Sequence, residues 1–453
     1  MSEKDNTLKD PLEKRIESLT PEEITKALKV FRKSLDNQHA AYLNSCTHCG
    51  LCSDSCHYYL TTEEIQSLPS YKLMLVEKVF KKHFTLLGKR APGFFGAKGL
   101  DKDMIREWVD TLFGRCTLCG RCFLNCSMGL NIPYLIRIAR GALASISLIP
   151  PELQSTIDTA VEKGNNMGIT KDDWVETIEW LEEELQGEVD DPQADIPVDK
   201  KGARIFYTIN PREPMFFPLS ILAVGKIFYS AGENWTLSSE NYDMTNYGFF
   251  IGDDDISGLL SRRLIESMKN LSAKTLALAE CGHGFNSNRW EAPEWLRKKY
   301  DFEVRSILQV VAEYIRQGRI KLDPSLNPKP VTLHDPCNLV RLGGIVEEQR
   351  YILRHAVSNF IEMTPNREKN FCCGGGGGQL AMDRFVQRRL RAGSVKADQI
   401  RKTGAQIVAA PCHNCIDQLM ELNKHYKLGV EIKTVCEIVA DALVIGKKEK
   451  QTS

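Results

Sequence analysis

The segment CTHCGLCSDSC, residues 46–56, carries four cysteines at the spacing C-x2-C-x2-C-x3-C, and CTLCGRCFLNC, residues 116–126, repeats that spacing. In this pattern three thiolates of one loop hold three irons of a 4Fe–4S cubane, and the fourth thiolate reaches the second cluster of a pair. The repeated spacing therefore predicts two crossed cubane sites. One set of ligands is Cys46, Cys49, Cys52 and Cys126, and the other is Cys116, Cys119, Cys122 and Cys56.

Structural zinc is the alternative interpretation of these cysteines, because C-x2-C pairs also occur in zinc ribbons. Zinc sites generally use two separated pairs, whereas four thiols at three close intervals crowd one tetrahedral ion. Both motifs lack the proline that normally follows the fourth cysteine, since His57 and Ser127 stand there. We expect His48 and His57 to be exposed loop residues beside the first motif.

The composition excludes several classes of protein. The chain has 453 residues, 15 cysteines, and 59 basic residues balanced by 59 acidic ones. A balanced charge gives no electrostatic basis for nucleic-acid binding. Clustered thiols in a chain of this length predict a reducing compartment and bound metal rather than a secreted disulfide scaffold. The charged N-terminus and the absence of an apolar run of about 18 residues predict no signal peptide and no membrane span.

The pattern of apolar residues divides the chain. Residues 1–186 have helical periodicity: helices are predicted after the N-cap at Thr20-Pro21-Glu22-Glu23, over 71–87 and 104–113, and after a segment resembling a capping box at 170–173. In the later part of the chain, another helix is predicted over 383–403. Residues 187–202 are polar and aperiodic, and we expect a linker there. Short apolar strands then alternate with helices, which predicts α/β units around a parallel sheet. The predicted fold class is α+β multidomain, with an all-α, ferredoxin-like N-terminal domain.

The α/β part shows an internal duplication. Residues 203–325 and 326–446 each read as strand, loop, helix with an Arg-Arg pair, strand and a cysteine-containing turn, in the same order. The second copy keeps its thiols and the first has lost most of them. We expect two Rossmann-like units, followed by a disordered tail at 447–453.

A second group of cysteines lies in the later copy. It consists of Cys337, the pair Cys372-Cys373 with five glycines at 374–378, and Cys412-x2-Cys415. Glycines without Cβ atoms let the backbone approach inorganic sulfurs and donate N–H groups to them. A phosphate-binding loop is the alternative, but the run contains neither G-x-G-x-x-G nor a Walker Lys-Ser/Thr.

These cysteines resemble the cysteine-rich CCG domain of heterodisulfide reductase. Fused to two ferredoxin motifs, they resemble the D subunit of that enzyme and the related iron–sulfur subunits of glycolate oxidase and anaerobic glycerol-3-phosphate dehydrogenase. The glycine run, the phrase PCHNCIDQL at 411–419 and ECGH at 280–283 are most similar to the catalytic subunits of Dsr-, Hmc- and Tmc-type membrane redox complexes of sulfur-metabolising microbes.

The resemblance implies one noncubane 4Fe–4S centre that cleaves a disulfide. Its implied ligands and catalytic residues are Cys337, Cys372, Cys373, Cys412 and Cys415. The first copy has Asn246 and Tyr247 in place of Cys-Cys and Gly284 in place of the last cysteine, so we expect no second such centre. The prediction is three clusters and about 12 irons per chain.

Several residues beside these thiols are further candidates. Cys281 survives from the degenerate copy and is predicted to lie near the active cleft, as an extra ligand, an exchanging thiol or a packed small residue. His413, with His283 and His334, is a candidate proton donor to a leaving thiolate. Cys436 is expected in the core. Basic residues after the glycine run predict either a solvated helix face or a rim for an anionic partner; they are Arg384, Arg388, Arg389, Arg391, Lys396, Arg401 and Lys402.

These observations predict a cytoplasmic iron–sulfur oxidoreductase subunit at the inner face of the membrane, held there by partner subunits. Electrons from a cytochrome b-like or quinol-oxidising partner would reduce a disulfide on a small dithiol protein or thiol cofactor. In the opposite direction the chain would form that disulfide. The alternative is a non-catalytic relay subunit of a flavin-dependent glycolate, lactate or glycerol-3-phosphate dehydrogenase. The residues specify neither the direction of electron flow nor the disulfide.

Overall fold

The computed structural model describes residues 10–445, so the predicted tail at 447–453 lies outside the described range. Contacts group the chain into two compact units. Unit 1 comprises residues 10–157 together with Tyr247–Ile256 and Phe371–Ala397, and unit 2 comprises the remaining described residues. Both units therefore join stretches that are distant in sequence. The domain boundaries drawn from the sequence stay predictions.

Helices dominate unit 1. Thr20 begins the second helix with a capping box: its hydroxyl accepts from Glu23 N–H, and the Glu23 carboxylate accepts from Thr20 N–H. The helix predicted over residues 71–87 is interrupted at Thr85, whose hydroxyl caps a separate short helix. The α-helices within or beginning in unit 1 are Pro11–Glu17, Pro21–Lys33, Asn37–Ser45, His57–Thr62, Pro69–Phe84, Leu86–Arg90, Lys102–Trp108, Arg121–Leu124, Ile132–Ala144, Pro151–Lys163, Tyr247–Ile251, Asp254–Asn270, Val386–Ala392 and Ser394–Thr403.

Some predicted helices have different boundaries in the structure. The segment predicted over 104–113 is an α-helix at Lys102–Trp108 that continues as a π-helix over Val109–Phe113. The helix Lys171–Val189 is capped by Thr170, as predicted, but it includes the first three residues of the expected linker. The stretch 383–403, expected as one helix, contains two, because the first ends at Ala392 before Gly393.

Two four-stranded parallel sheets form the centre of unit 2. The strands are β1 (Ile205–Thr208), β2 (Trp235–Thr236), β3 (Thr275–Leu278), β4 (Glu303–Ser306), β5 (Val331–Leu333), β6 (Phe360–Ile361), β7 (Ile407–Ala409) and β8 (Glu431–Lys433). One sheet has the order β2-β1-β3-β4 and the other β6-β5-β7-β8. The prediction of mixed helices and parallel sheets is confirmed. Equal strand order is what two copies of one unit would have, and the Rossmann-like classification stays a prediction.

The core of unit 2 lies around these strands. All residues of β1, β3, β5 and β7 are buried, as is typical of parallel strands covered on both faces. Within the described residues no helix combines the length and apolar character needed to cross a bilayer. The other α-helices of unit 2 are Lys171–Val189, Arg212–Phe216, Pro218–Ser230, Gly282–Asn286, Ala292–Leu296, Ile307–Arg316, Cys337–Val340, Glu348–Ala356, His413–Tyr426 and Val435–Asp441.

Candidate metal centres

Unit 1 contains two cavities lined by four cysteines each. One set of thiols lines cavity A and the other set lines cavity B. Four thiols around each of two similar cavities suit a pair of 4Fe–4S cubanes. The grouping is the crossed one expected from the spacing, and the assignment of iron ligands stays a prediction. Cavity A contains Cys46, Cys49, Cys52 and Cys126, and cavity B contains Cys56, Cys116, Cys119 and Cys122.

The two cysteine loops share an unusual backbone conformation. His48 and Leu118, each the residue before the second cysteine of its motif, have positive φ angles of 53° and 55°. Gly50 and Gly120, directly after that cysteine, have φ angles of 82° and 78°. Glycine occupies such left-handed positions without steric cost. The repeated motif therefore specifies a repeated loop shape as well as a repeated set of thiols.

Two buried cations adjoin cavity B. Lys72 lines the cavity, is 2% exposed, and donates through Nζ to the carbonyl oxygen of Arg115. Arg140 is fully buried, and its guanidinium donates only to backbone carbonyl oxygens. Among the described residues neither side chain has a carboxylate at ion-pair distance. The acceptors of Arg140 are the carbonyls of Leu112, Cys116, Phe250 and Gly377.

An isolated buried cation is costly unless negative charge compensates it. Burial lowers the pKa of Arg140 to about 10, which leaves the side chain charged at neutral pH. Burial raises the pKa of Cys116 and outweighs the opposing charges of Lys72 and Arg140. A thiolate-bound iron–sulfur cluster would supply the missing negative charge. The donors around cavity B therefore suit such a cluster.

Cavity A has a different electrostatic environment. Burial raises the pKa of Cys46, and the nearby Glu77 carboxylate adds to that rise. Glu77 pairs with Lys81 and lies 3.8 Å from His48 Nε2. Cys49 is exposed. Cavity A is thus closer to solvent and to a carboxylate, whereas cavity B adjoins two buried positive charges.

The expectation for His57 was wrong, although His48 is half-exposed as expected. His57 is 2% exposed because it lies in the buried first turn of the helix His57–Thr62, where its ring packs at 4.9 Å from the ring of Tyr58. Tyr58 is fully buried, and its hydroxyl has no hydrogen-bond partner among the described residues. Burial raises the pKa of Tyr58, and Cys372 and Cys116 add to that rise, so both sulfurs lie near it.

The Cys372-Cys373 pair belongs to unit 1. Both side chains are 2% exposed, and the N–H groups of Gly374 and Gly375 each donate to a sulfur of the pair at 3.4 Å. A Cβ atom on Gly377 would lie 2.7 Å from the carbonyl carbon of Thr117. The glycines therefore allow close packing against the 116–126 loop and direct N–H groups at sulfur, a donor arrangement that suits cluster ligands.

Cys337, Cys412 and Cys415 belong to unit 2, together with Cys281. Cys281, Cys337 and Cys412 follow the carboxyl ends of β3, β5 and β7, where parallel sheets commonly bind ligands. The Cys281 thiol hydrogen-bonds to Cys412, and this bond, with one from Cys415, lowers the pKa of Cys412. Burial raises the pKa of Cys281. The structure thus places the surviving thiol of the degenerate copy beside an expected ligand.

Known families match both cysteine-rich regions. Residues 42–130 match the 4Fe-4S dicluster domain, and residues 331–420 match the cysteine-rich CCG domain. The two matches cover separate parts of the chain. The matched ranges include all eight cysteines of cavities A and B and the five expected CCG ligands, but neither Cys281 nor Cys436.

The chain is also similar to several curated proteins over most of its length. The chain is 28% identical to an Hdr-like menaquinol oxidoreductase iron-sulfur subunit of Archaeoglobus profundus, over 92% of this chain and 82% of the relative. It is 27% identical to the D subunit of dihydromethanophenazine:CoB–CoM heterodisulfide reductase of Methanosarcina mazei, over 92% and 98%. It is 23% identical to EtfAB:quinone oxidoreductase of Syntrophomonas wolfei, over 84% and 55%. The predicted resemblance to the D subunit of heterodisulfide reductase is confirmed.

The degenerate copy beside the CCG domain has lost the space for its missing cysteines. A Cβ atom on Gly284 would lie 2.8 Å from the carbonyl oxygen of Met244. Asn246 donates to the Ser257 carbonyl and the Ser261 hydroxyl, so its side chain is bonded to the helix Asp254–Asn270. These contacts agree with the expectation of a single CCG centre, which stays a prediction.

Two buried glutamates from outside the CCG match lie beside His413. His413 Nδ1 lies 3.2 Å from the Glu280 carbonyl oxygen and 3.6 Å from Glu213 Oε1. Burial lowers the pKa of His413 and of His283 to about 4, and burial raises the pKa of Glu213 to about 8. His334 is also buried.

Cys436 is buried on helix Val435–Asp441, as expected for a core residue.

The basic residues that follow the CCG glycines do not form a free rim. Arg384 pairs with Asp10 and Glu152, and Arg388 pairs with Asp110 at 2.8 Å. Arg389 and Lys396 are buried, and Arg391 donates to the Thr61 carbonyl. Arg401 pairs with Asp398, and Lys402 is exposed. Both interpretations fail for Arg384 and Arg388, which pair with carboxylates of unit 1, and for Arg389 and Lys396, which are buried. Arg391, Arg401 and Lys402 are exposed, as a solvated helix face predicts.

Lys72, Arg140 and Tyr58 were missed by the sequence reasoning. Tyr58 lies two residues from Cys56, but a tyrosine near a cysteine has no diagnostic spacing. Lys72 and Arg140 occur within helices whose other residues are largely apolar. A cation at an apolar position of a helix was the available signal, since burial of a charge requires a partner, although both helices also carry other basic residues.

Proposed function

We propose that this chain is the iron–sulfur electron-transfer subunit of a membrane-associated, heterodisulfide reductase-like complex. The chain is related to the iron–sulfur subunits of Hdr-like menaquinol oxidoreductases. The single observation that carries the proposal is that one compact unit holds two four-thiol cavities and the Cys-Cys-Gly turn with its N–H groups aimed at sulfur.

In this proposal the eight thiols of cavities A and B hold two cubanes, and the CCG cysteines hold one noncubane centre. When bound, these groups supply one-electron transfer and, at the CCG site, a place where the sulfur of a disulfide is reduced. The ligands proposed for the CCG centre are Cys337, Cys372, Cys373, Cys412 and Cys415. Cleavage of one disulfide to two thiols requires two electrons and two protons.

The protein's own residues have defined roles in this scheme. Lys72 and Arg140 place positive charge beside cavity B, and Gly374 and Gly375 donate to the paired sulfurs. Cys281 donates a hydrogen bond to Cys412 and is proposed as an exchanging thiol. His413, adjacent to Cys412, is proposed to deliver a proton to the leaving thiolate.

The proposed partners are a cytochrome b-like or quinol-oxidising membrane subunit and a small dithiol protein or thiol cofactor. We propose that the chain works in the cytoplasm, at the inner face of the membrane, in anaerobic sulfur metabolism. Nucleic acid is not among the proposed partners.

Anaerobic purification followed by metal analysis and paramagnetic resonance tests the proposal. We expect about 12 irons with matching labile sulfide, and a new paramagnetic signal when the protein is oxidised in the presence of a thiol. A protein that contains zinc without sulfide would refute the cluster assignment. A cluster-loaded protein that gives no thiol-dependent signal would refute the disulfide chemistry.

A non-catalytic relay is the second candidate, because one relative is named EtfAB:quinone oxidoreductase. In that case the CCG domain would transfer electrons between a flavoprotein and quinone without cleaving a disulfide. Anaerobic co-purification separates the candidates. A flavoprotein partner supports the relay, whereas a cytochrome b with a dithiol protein supports the disulfide reaction.

A further inference from the structure

Unit 1 carries a basic segment that the redox function does not use. Between Glu77 and Asp101 the chain has no acidic residue, although the protein as a whole is neutral. A neutral protein with one strongly basic stretch has a local positive potential that the net charge conceals. The basic residues of this stretch are Lys78, Lys81, Lys82, Lys89, Arg90 and Lys98.

The same segment exposes large apolar side chains. Leu86 is 62% exposed, Leu87 is 57% exposed, and Phe94 is 87% exposed. Phe94 is the most exposed of the large hydrophobic residues in the described part of the chain. Exposed aromatic and leucine side chains within nine residues of one another indicate a contact surface.

Residues 86–98, here called the basic hairpin, are anchored to the preceding helix. Thr85 caps the helix Leu86–Arg90 by accepting from Gly88 N–H. At the other end Lys98 N–H donates to the Lys78 carbonyl at 3.2 Å. The hairpin is therefore held at both ends, and its exposed side chains project from a defined base.

Cations flank the apolar side chains. Lys89, Arg90 and Lys98 are exposed, and no ion pair involves them within the residues the structure describes. Burial lowers the pKa of His83, and Lys82 and Lys89 add to that effect, so both charges lie near this ring. Positive charge is thus concentrated at the base of the hairpin, where Lys81 is paired with Glu77 but Lys82 and Lys89 have no ion pair within the described residues.

We propose that the basic hairpin binds the surface of an anionic lipid bilayer directly, with Leu86, Leu87 and Phe94 inserted at the boundary between headgroups and acyl chains. Leucine and phenylalanine on one side of lysine and arginine are typical of segments that lie in the membrane interface. Lysine is depleted from protein–protein interfaces, which disfavours a protein partner for this patch. The proposal does not depend on the redox function.

The test is anaerobic co-sedimentation of the full chain with vesicles of phosphatidylcholine that contain phosphatidylglycerol, and with vesicles of pure phosphatidylcholine. We expect binding to the anionic vesicles, weakened by added salt. The double change Lys89→Gln and Arg90→Gln is expected to weaken binding about fivefold for each cation removed. Phe94→Ser is expected to weaken it at least fivefold, because a large apolar side chain no longer leaves water.

Matched controls separate this site from general effects of charge and apolar exposure. Lys200 and Lys201 are an exposed cation pair in unit 2, and Lys200→Gln with Lys201→Gln should leave binding unchanged. Leu326 is 55% exposed, and Leu326→Ser should also leave it unchanged. The iron content of every variant should match that of the unmodified protein.

Three results would overturn the proposal. The first is the absence of binding to anionic vesicles, and the second is binding that the control pair weakens as much as the hairpin variants do. The third is a hairpin variant that still binds vesicles but loses a protein that co-purifies with the unmodified chain in detergent, because the patch would then be a protein interface.

Discussion

Lys72→Met should make the cluster proposed for cavity B harder to reduce. Lys72 is buried, lines the cavity, and is bonded to the carbonyl of Arg115, the residue before Cys116. Reduction adds a negative charge next to this cation. Methionine has a similar length without the charge, so the substitution removes the stabilising interaction while it preserves most of the packing.

The magnitude follows from Coulomb's law. Two unit charges about 6 Å apart at an effective dielectric constant of about 20 interact by about 3 kcal/mol. For a one-electron couple about 1.4 kcal/mol corresponds to about 59 mV. We therefore expect the midpoint potential of one cubane to fall by about 100 mV, and that of the other to change much less.

Redox titration monitored by paramagnetic resonance measures both potentials. Lys78→Met is the matched control, since Lys78 lies on the same helix but outside cavity B. Urea unfolding of both variants separates a change in stability from a change in potential. An unchanged potential in Lys72→Met, or equal shifts in both clusters and in the control, would refute the assignment of Lys72 to one cluster.

The remaining predictions concern unit 2. Burial raises the pKa of Glu233, but hydrogen bonds from Arg204 and Tyr314 prevail and lower it to about 2. The pKa of a glutamate in the unfolded chain is near 4.3. The ionised Glu233 therefore stabilises the fold above about pH 4.3, and this stabilisation is lost as the pH falls toward 2. Glu233→Gln should therefore lower Tm at neutral pH and flatten its acid dependence, and an unchanged acid dependence would contradict this. Gly284→Cys should destabilise the fold without adding iron, because the new Cβ meets Met244; additional iron would show a second competent site. Cys281→Ser should keep about 12 irons but suppress the thiol-dependent paramagnetic signal; loss of iron would identify it as a ligand instead.

Local features of the fold were predictable from the sequence. Thr20 and Thr170 cap helices through contacts with residues three positions away, so short motifs specify them. The two crossed sets of thiols follow from spacing alone. The parallel sheets follow from apolar runs, because strands buried on both faces need such runs.

Long-range features were not predictable. Arg140 bonds to the Gly377 carbonyl across 237 positions, and no local pattern indicates such a contact. The pairing of Arg384 with Asp10 joins residues 374 positions apart, which is why the basic set was misjudged. His57 was misjudged because it was assigned to the cysteine loop, whereas it is the first residue of the helix His57–Thr62, which begins directly after the fourth cysteine.

Unit 1 is made of three separate stretches of the chain, and this affects whether the protein could be produced as two shorter chains. The two family domains, 42–130 and 331–420, are separate in sequence, yet Phe371–Ala397 folds with residues 10–157. A gene split between the two domains would leave Thr117 without the glycine run that packs on it. The units that fold together therefore differ from the domains recognised in the sequence, and two chains divided between 130 and 331 are not expected to fold independently.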